Sequence, residues 1–344
     1  MHLFIQTPGT YLHVWEGLFE IRRKLNGQVE KRQFAAHKVK GILLSKGTAL
    51  STDAVALATQ HQVDLLFLEP GGHPYGRVWQ SKLGSTTRIR KRQLEASLSP
   101  LAVDTIKAWL TQKLDHQADF LASLLKHRPK LKEELGAAIS RIGEMSHQIQ
   151  TNSSINIEGA GPSFRGWEGS AGKAYFEALS LAIPDRWRFH GRSSRPAHDP
   201  FNACLNYAYG ILYGQVEKAL ITAGLDPYVG FMHRDDYNHK SMVYDFIEPY
   251  RIFAEKVVFQ LFSRKKVNQA MFEQIPRGVS LGPEGKPTLV EAYFHHTLEE
   301  KVYYKGRRLT RMHMMQTDAH RFANQLLGQE KPEEKVPELS WLEL

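Results

Sequence analysis

Cysteine is nearly absent: Cys204 is the only one in 344 residues. A single thiol excludes an internal disulfide framework and a cysteine-ligated zinc cluster, and it reads as a buried packing residue. There is no long uncharged apolar run and no basic amphipathic tail, which argues against a membrane span or a surface-lying membrane helix. The opening MHLFIQTPGTYL lacks both a basic n-region and a continuous apolar h-region, so it does not read as a signal peptide. No internal repeat is found. A cytoplasmic protein without a membrane partner is the expectation.

What the chain has in excess is positive charge. Lys and Arg number 45 against 36 Asp and Glu, a formal charge of +9. Hydrophobic residues make up 42% and charged residues 24%, so cores can form and the excess charge is free to act at the surface. Such a balance fits a polyanionic partner, nucleic acid in preference to an acidic membrane surface. The length suits two domains.

Residues 1–85 are dense in strand signals. TYLHVWEG, LFEIRRKL, VEKRQFAA and GILLSKG alternate or run apolar, and Asn26-Gly27 is a strong hairpin signal. STDAVALATQHQ reads as a helix capped by Ser51 or Thr52, and VDLLFLEP as a buried strand ending at Pro70-Gly71-Gly72. GSTTRIRKRQ, residues 84–93, joins a Gly/Ser/Thr break to a charge run and marks a basic linker over 86–100. Beyond it the periodicity turns helical. Ile106, Leu110, Leu114, Leu121, Leu124 and Leu125 fall near helical spacing, and helical patterns recur at about 168–182, 200–220, 241–262, 288–300 and 308–327. The expected fold is α+β: a small β-rich N-terminal domain (1–85), a larger all-α domain (101–328) and a loosely ordered polar tail (329–344).

Three segments of the helical part set polar residues among apolar ones. In SFRGWEGSAGKAYFEALSLAI, Glu168 is expected at a first helical turn, followed by small residues that permit close approach of another helix or a phosphate backbone. Glu158 reads as a loop residue. In FHGRSSRPAHDPFNACLNYAYGILYG, His190, Arg192 and Arg195 precede a helix with Asn202, Asn206 and Tyr209 at helical spacing. This is either a solvated loop before a capped helix or a phosphate-contacting loop. In MHRDDYNHKSMVYDFIEPYR, a helix starting at Ser241 would carry Asp245 and Glu248 on one face, with His233 on the preceding loop and Pro249 bending the helix. Like charges at that spacing repel unless a cation or proton lies between them, so removing one is expected to raise metal-free stability slightly.

Taken singly, Glu168 reads as a complement to the helix macrodipole, His233 as a structural histidine and Asp245 as a surface carboxylate. Taken together, Glu168, His233 and Glu248 form a cysteine-free carboxylate–histidine–carboxylate set suited to a hard divalent cation, Mg²⁺ or Mn²⁺. On a basic protein such a site suggests chemistry at a phosphodiester. Arg88, Arg90, Lys91 and Arg92 are expected to bind DNA with little sequence preference; Arg264 to Lys266 and Lys305, Arg307, Arg308 and Arg311 are weaker candidates.

RGWEGSAGKAYF, FHGRSSRPAHDPFNACLNYAYGILY and GFMHRDDYNHKSMVYDFIEPYR, in that order, resemble the CRISPR-adaptation integrase family, which inserts new spacers into CRISPR arrays. The likeness extends across most of residues 160–260. By position it places the family's glutamate at Glu168, its histidine at His233 and its acidic pair at Asp245 and Glu248. Glu248 is then the outer ligand, and Asp245 supports it or replaces a water. The resemblance implies attack by the 3′-hydroxyl of a short DNA fragment on a phosphodiester at the repeat boundary, without ATP. It also implies double-stranded and branched DNA as substrates, a homodimer formed through the β domains, and a heterohexamer with a small second adaptation subunit. Two other readings stand beside it: a metal-dependent nuclease or transposon-type integrase without a CRISPR partner, and a non-catalytic DNA-binding scaffold.

Overall fold

In the first strands, alternate side chains face inward, and that alternation decides where the sheets meet. The computed structural model describes residues 1–25, 28–61, 63–69, 74–78, 87–194, 196–233 and 239–329. Two compact units, Met1–Lys82 and Leu83–Leu344, divide the chain.

The first unit runs β1 (His2–Ile5), β2 (Tyr11–Trp15), β3 (Leu18–Leu25), β4 (Gln28–Ala35), β5 (Gly41–Ser45), β6 (Ala49–Leu50), α1 (Thr52–Gln60), β7 (Asp64–Leu68) and β8 (Pro74–Arg77). Strands β4-β3-β2-β6 form one four-stranded sheet and β1-β5-β7-β8 another. β3 and β4 are antiparallel with Leu25 opposite Gln28, as a hairpin requires; Asn26 and Gly27 themselves lie outside the described residues, as do Pro70 to Gly72. Leu12, Phe19, Ile42, Leu44 and Leu65 fill one core with Ala54 and Ala58 of α1. Ser51 caps α1, its hydroxyl accepting from Ala54 N–H at 3.1 Å.

The second unit holds α2 (Thr87–Ser97), α3 (Pro100–Leu125), α4 (Lys132–Thr151), α5 (Ile157–Leu181), α6 (Pro200–Thr222), α7 (Ser241–Phe246) and α8 (Arg251–Ser263), then β9 (Phe272–Ile275), β10 (Gly278–Leu281), α9 (Gly285–Phe294), β11 (Lys301–Tyr304), β12 (Arg307–Thr310) and α10 (Arg311–Leu326). Four expectations are corrected. The supposed linker is helical from Thr87 to Ser97, because Gln93 and Ala96 give it a buried face. α4 lies outside the expected helices, though Leu135, Ala138, Ile142, Met145 and Ile149 are buried at helical spacing. The unit is mostly helical rather than all-α, with antiparallel hairpins β9–β10 and β11–β12. Finally, α5 begins at Ile157, where the Asn156 side chain accepts from Gly159 N–H at 2.9 Å; Glu158 is therefore helical and Glu168 lies mid-helix. Pro162 near the start of α5 costs one ladder bond without ending the helix.

α6 is buried along nearly its whole length, and α8 packs on it. Trp109 of α3 stacks on Phe231 at 6.4 Å and meets Phe246 and Phe322 edge-on at 5.2 and 5.3 Å. This cluster ties α3, the segment before His233, α7 and α10 into one body.

Asp318 of α10 joins the β11–β12 hairpin to the turn that carries Glu248. It accepts from the Tyr250 hydroxyl at 2.9 Å, the Tyr304 hydroxyl at 2.6 Å and Lys305 Nζ at 3.2 Å. Burial pushes its carboxyl up from 3.8 to about 6, against the two tyrosine bonds that favour the anion. An acid raised in the fold binds its proton more tightly folded than unfolded. Its stabilising contribution is complete below pH 3.8 and is lost as pH rises through about 6. The melting temperature of the parent should therefore fall over that window relative to Asp318→Asn, whose amide does not titrate. Identical pH profiles for the two proteins would contradict the assignment.

Candidate active site

Asp245 and Glu248 are held by different partners. α7 ends at Phe246, Glu248–Tyr250 forms a tighter 3-10 turn containing Pro249, and α8 starts at Arg251. Each carboxylate meets its own set of donors, which offset the expected repulsion between them.

Asp245 is fully buried. Its carboxylate accepts from the backbone N–H groups of Phe231 (2.6 Å), Met232 (3.0 Å) and His233 (3.2 Å), and from His233 Nδ1 at 2.6 Å. A carboxylate so surrounded only accepts, so Nδ1 donates to it, and in the neutral imidazole Nε2 is the nitrogen with a lone pair to offer. This is the arrangement by which a carboxylate orients a metal-binding imidazole. Gly230 makes it possible: a Cβ there would stand 2.5 Å from Ser241 Cβ, where the loop crosses the start of α7. Ser241 is the first residue of α7, and Lys240 stands at the N-cap.

Glu168 comes from the middle of α5 with its side chain about a third exposed, at 33%. It meets Glu248 through Lys113 of α3, a buried ammonium that bonds Glu168 Oε1 and reaches Glu248 Oε2 at 2.6 Å. The other Glu248 oxygen takes a guanidinium fork from Arg251, Nε at 2.9 Å and Nη2 at 2.8 Å. Burial alone would push the Glu248 carboxyl up, but Arg251 and Lys113 hold it down at about 2. Burial likewise opposes the Lys113 charge, and the Glu168 and Glu248 carboxylates outweigh it, holding the amine above its ordinary value. Arg251 is braced by the Tyr209 and Tyr213 rings at 5.0 and 5.8 Å. Tyr209 is anchored in turn, its hydroxyl donating to buried Glu255 at 2.7 Å.

Sequence reading missed Lys113 and Arg251. Lys113 was detectable as a charge inside the apolar stripe of Ile106, Leu110, Leu114 and Leu121, where it is 6% exposed. Among the described residues no group of three or more His, Cys, Asp or Glu side chains is assembled to hold a metal. The donors nevertheless suit a hard cation: two carboxylates already converge on one positive charge, and one imidazole is held through Nδ1 by a carboxylate.

Of the expected DNA contacts, Arg88, Arg90, Lys91 and Arg92 are all exposed on α2. Arg92 pairs with Glu95 at 2.7 Å, and Arg90 lies 3.8 Å from Asp226. On the other face of α2, Gln93 bonds the backbone of Asp226 and Val229, upstream of His233. The Arg192 guanidinium bonds Asn202 Oδ1 and, at 2.8 Å, Asn206 Oδ1, lying over the Phe176 and Tyr209 rings. Asn202 is fully buried, and its amide donates to Gly191 O and Asp199, so it braces this loop internally instead of facing DNA. Arg195 and residues 234–238 lie outside the described residues. Arg311 is engaged by Glu300 and His296 O, whereas Lys305 is exposed and meets Asp318 at 3.2 Å. No helix among the described residues is long and apolar enough to cross a membrane.

The model of the family described as CRISPR associated protein Cas1 matches residues 3–295. A CRISPR-associated endonuclease Cas1 of Archaeoglobus fulgidus is 31% identical over 320 residues, covering 90% of this chain and 91% of the relative. Another from Korarchaeum cryptofilum is 26% identical over 348 residues, covering 99% and 98%. Among solved structures, a casposase bound to integration product superposes with a TM-score of 0.83 at 21% identity, covering 98% of this chain and 96% of the other. A Cas1 protein from Thermotoga maritima superposes at 0.73 with 18% identity, covering 96% and 98%. At such identities the two structures speak to the fold alone. The match across most of the sequence settles descent: this chain belongs to the Cas1 family of CRISPR-associated proteins.

Proposed function

We propose that this chain is a metal-dependent DNA integrase that inserts short DNA fragments into a CRISPR array, the 3′-hydroxyl of the fragment attacking a phosphodiester at the repeat. The observation that carries the reading is the meeting of Glu168 and Glu248 on the Lys113 ammonium, together with a histidine whose Nδ1 is held by Asp245. Glu168, Glu248 and His233 Nε2 would hold Mg²⁺ or Mn²⁺. When bound, such an ion polarises the phosphorus centre and neutralises charge on the attacking and leaving oxygens. Asp245 fixes the imidazole, and Arg251 fixes Glu248 by its paired bonds. Bond energy is nearly conserved in a transesterification, so positioning and charge carry the catalysis.

DNA, double-stranded and branched, would be gripped by dispersed phosphate contacts from α2 and by Arg192 beside the site. Replacing Arg88, Arg90, Lys91 and Arg92 together by Ala should weaken DNA binding and reduce its salt slope by about one unit per lost phosphate contact. An unchanged slope in a salt titration would remove α2 from the interface. Homodimerisation through the β-rich unit is supported by Tyr11 and Trp15 of β2, 37% and 49% exposed on one face of the strand. A small second subunit completing a heterohexamer is supported by the fold likeness to a Cas6-RT-Cas1–Cas2 complex, TM-score 0.76 at 19% identity, covering 99% of this chain and 36% of that one.

The test is strand transfer. A short duplex with free 3′-hydroxyls is mixed with a repeat-bearing plasmid, the protein and its second subunit, with Mn²⁺ or with EDTA. Covalent joining at the repeat only with metal is expected. Joining in EDTA would refute metal dependence. DNA binding without joining under any metal would favour the scaffold reading.

A further inference from the structure

Both carboxylate oxygens of Glu248 are taken. Oε1 receives the Arg251 fork and Oε2 receives Lys113 Nζ at 2.6 Å, while the same Nζ bonds Glu168 Oε1. A divalent cation held by Glu168 and Glu248, as proposed above, has to share or replace one of these contacts, since each Glu248 oxygen already has a donor. Metal–oxygen contacts of about 2.0–2.2 Å would put the ion nearly against an ammonium bound to the same oxygens, and like charges at that separation exclude each other.

Arg251 is the harder of the two to displace. It makes two bonds to one oxygen, a third to the Tyr213 hydroxyl at 3.3 Å, and lies over the Tyr209 and Tyr213 rings. Lys113 makes one bond to each carboxylate from a flexible four-carbon stem, and Glu168 is a third exposed, at 33%. We propose that Lys113 is the exchangeable counter-cation of the Glu168–Glu248 pair: its ammonium and the divalent ion hold the two carboxylates in alternation, so Lys113 sets metal affinity by competition and turns away when metal enters. This rests on the metal-site reading above.

The experiment is Mn²⁺ calorimetry on the full chain at fixed pH and salt, comparing the parent with Lys113→Met, Lys113→Arg and Glu168→Ala. Removing the competitor should tighten Mn²⁺ binding about tenfold or more and enlarge the rise in melting temperature on Mn²⁺ addition. Lys113→Arg, which keeps the charge, should bind Mn²⁺ no more tightly than the parent. A second readout uses the unaltered protein: acetylation of Lys113, followed by mass spectrometry, should be slow without metal, since its side chain is 7% exposed, and rise several-fold with saturating Mn²⁺. If Lys113→Met does not fold, the acetylation result decides. Unchanged or weaker Mn²⁺ binding by Lys113→Met, or flat acetylation while Mn²⁺ binds, would overturn the exchange. Mn²⁺ binding that ignores Glu168→Ala would overturn the metal site itself, so the two failures are distinguishable.

Discussion

Alanine at Glu168 or His233 is expected to lower single-turnover strand transfer by about 10³-fold or more, while DNA affinity at fixed salt stays within about threefold of the parent. The asymmetry follows from what each property rests on. Binding is spread over many phosphate contacts, whereas the chemical step depends on one ion whose ligands act as a unit. For the same reason the Glu168→Ala/His233→Ala double variant should be hardly slower than either single one. Glu168 is the cleaner probe, because its partly exposed side chain can be removed with little disturbance of packing. Glu248→Ala should be equally inactive but also less stable, since it strands buried Lys113 and Arg251 without their shared carboxylate. Near-parental strand transfer by Glu168→Ala or His233→Ala would show that the ligands are elsewhere.

Asp245→Ala should act differently, losing stability and activity together. It leaves the N–H groups of Phe231, Met232 and His233 and the His233 Nδ1 proton without their acceptor. The cost should be on the order of 3 kcal/mol, with strand transfer down about 10–100-fold through the misoriented imidazole. Asp245→Asn retains one acceptor oxygen and should fall between Ala and the parent in melting temperature. The i, i+3 spacing of Asp245 and Glu248, read as two repelling charges on one helix, predicts the opposite sign. The separate partners of the two residues, above all the four donors that Asp245 accepts from, reverse it. An Asp245→Ala variant that melts at or above the parent would restore the repulsion reading.

What could be read in advance was local. Strand alternation around Leu12 and Phe19, the Ser51 cap and the apolar spacing of α3 depend on neighbours in sequence, and the corresponding elements form where expected. Glu168, His233 and Glu248 stood out as polar residues in apolar surroundings, and the resemblance of their segments assigned them roles. The partners of those residues were hidden because they arrive from elsewhere in the chain. Lys113 lies 55 residues from Glu168 and 135 from Glu248, and no local pattern announces that separation. The start of α5 is hard to read because Gly159, Gly161 and Pro162 disfavour a helix, while the Asn156 cap and buried Ala160 and Phe164 outweigh them. The α2 charges looked like a linker for a similar reason: one buried glutamine and one alanine were enough to give the segment a packing face.

The central claim, that one divalent cation joins Glu168, Glu248 and His233, is tested most directly by soaking crystals of the full chain in Mn²⁺ and recording anomalous scattering. The account predicts a single strong peak bounded by a Glu168 oxygen, a Glu248 oxygen and His233 Nε2, with Asp245 still on Nδ1 and Lys113 withdrawn from the pair. A peak that omits Glu168 or His233, or one that persists unchanged in Glu168→Ala crystals, would contradict it.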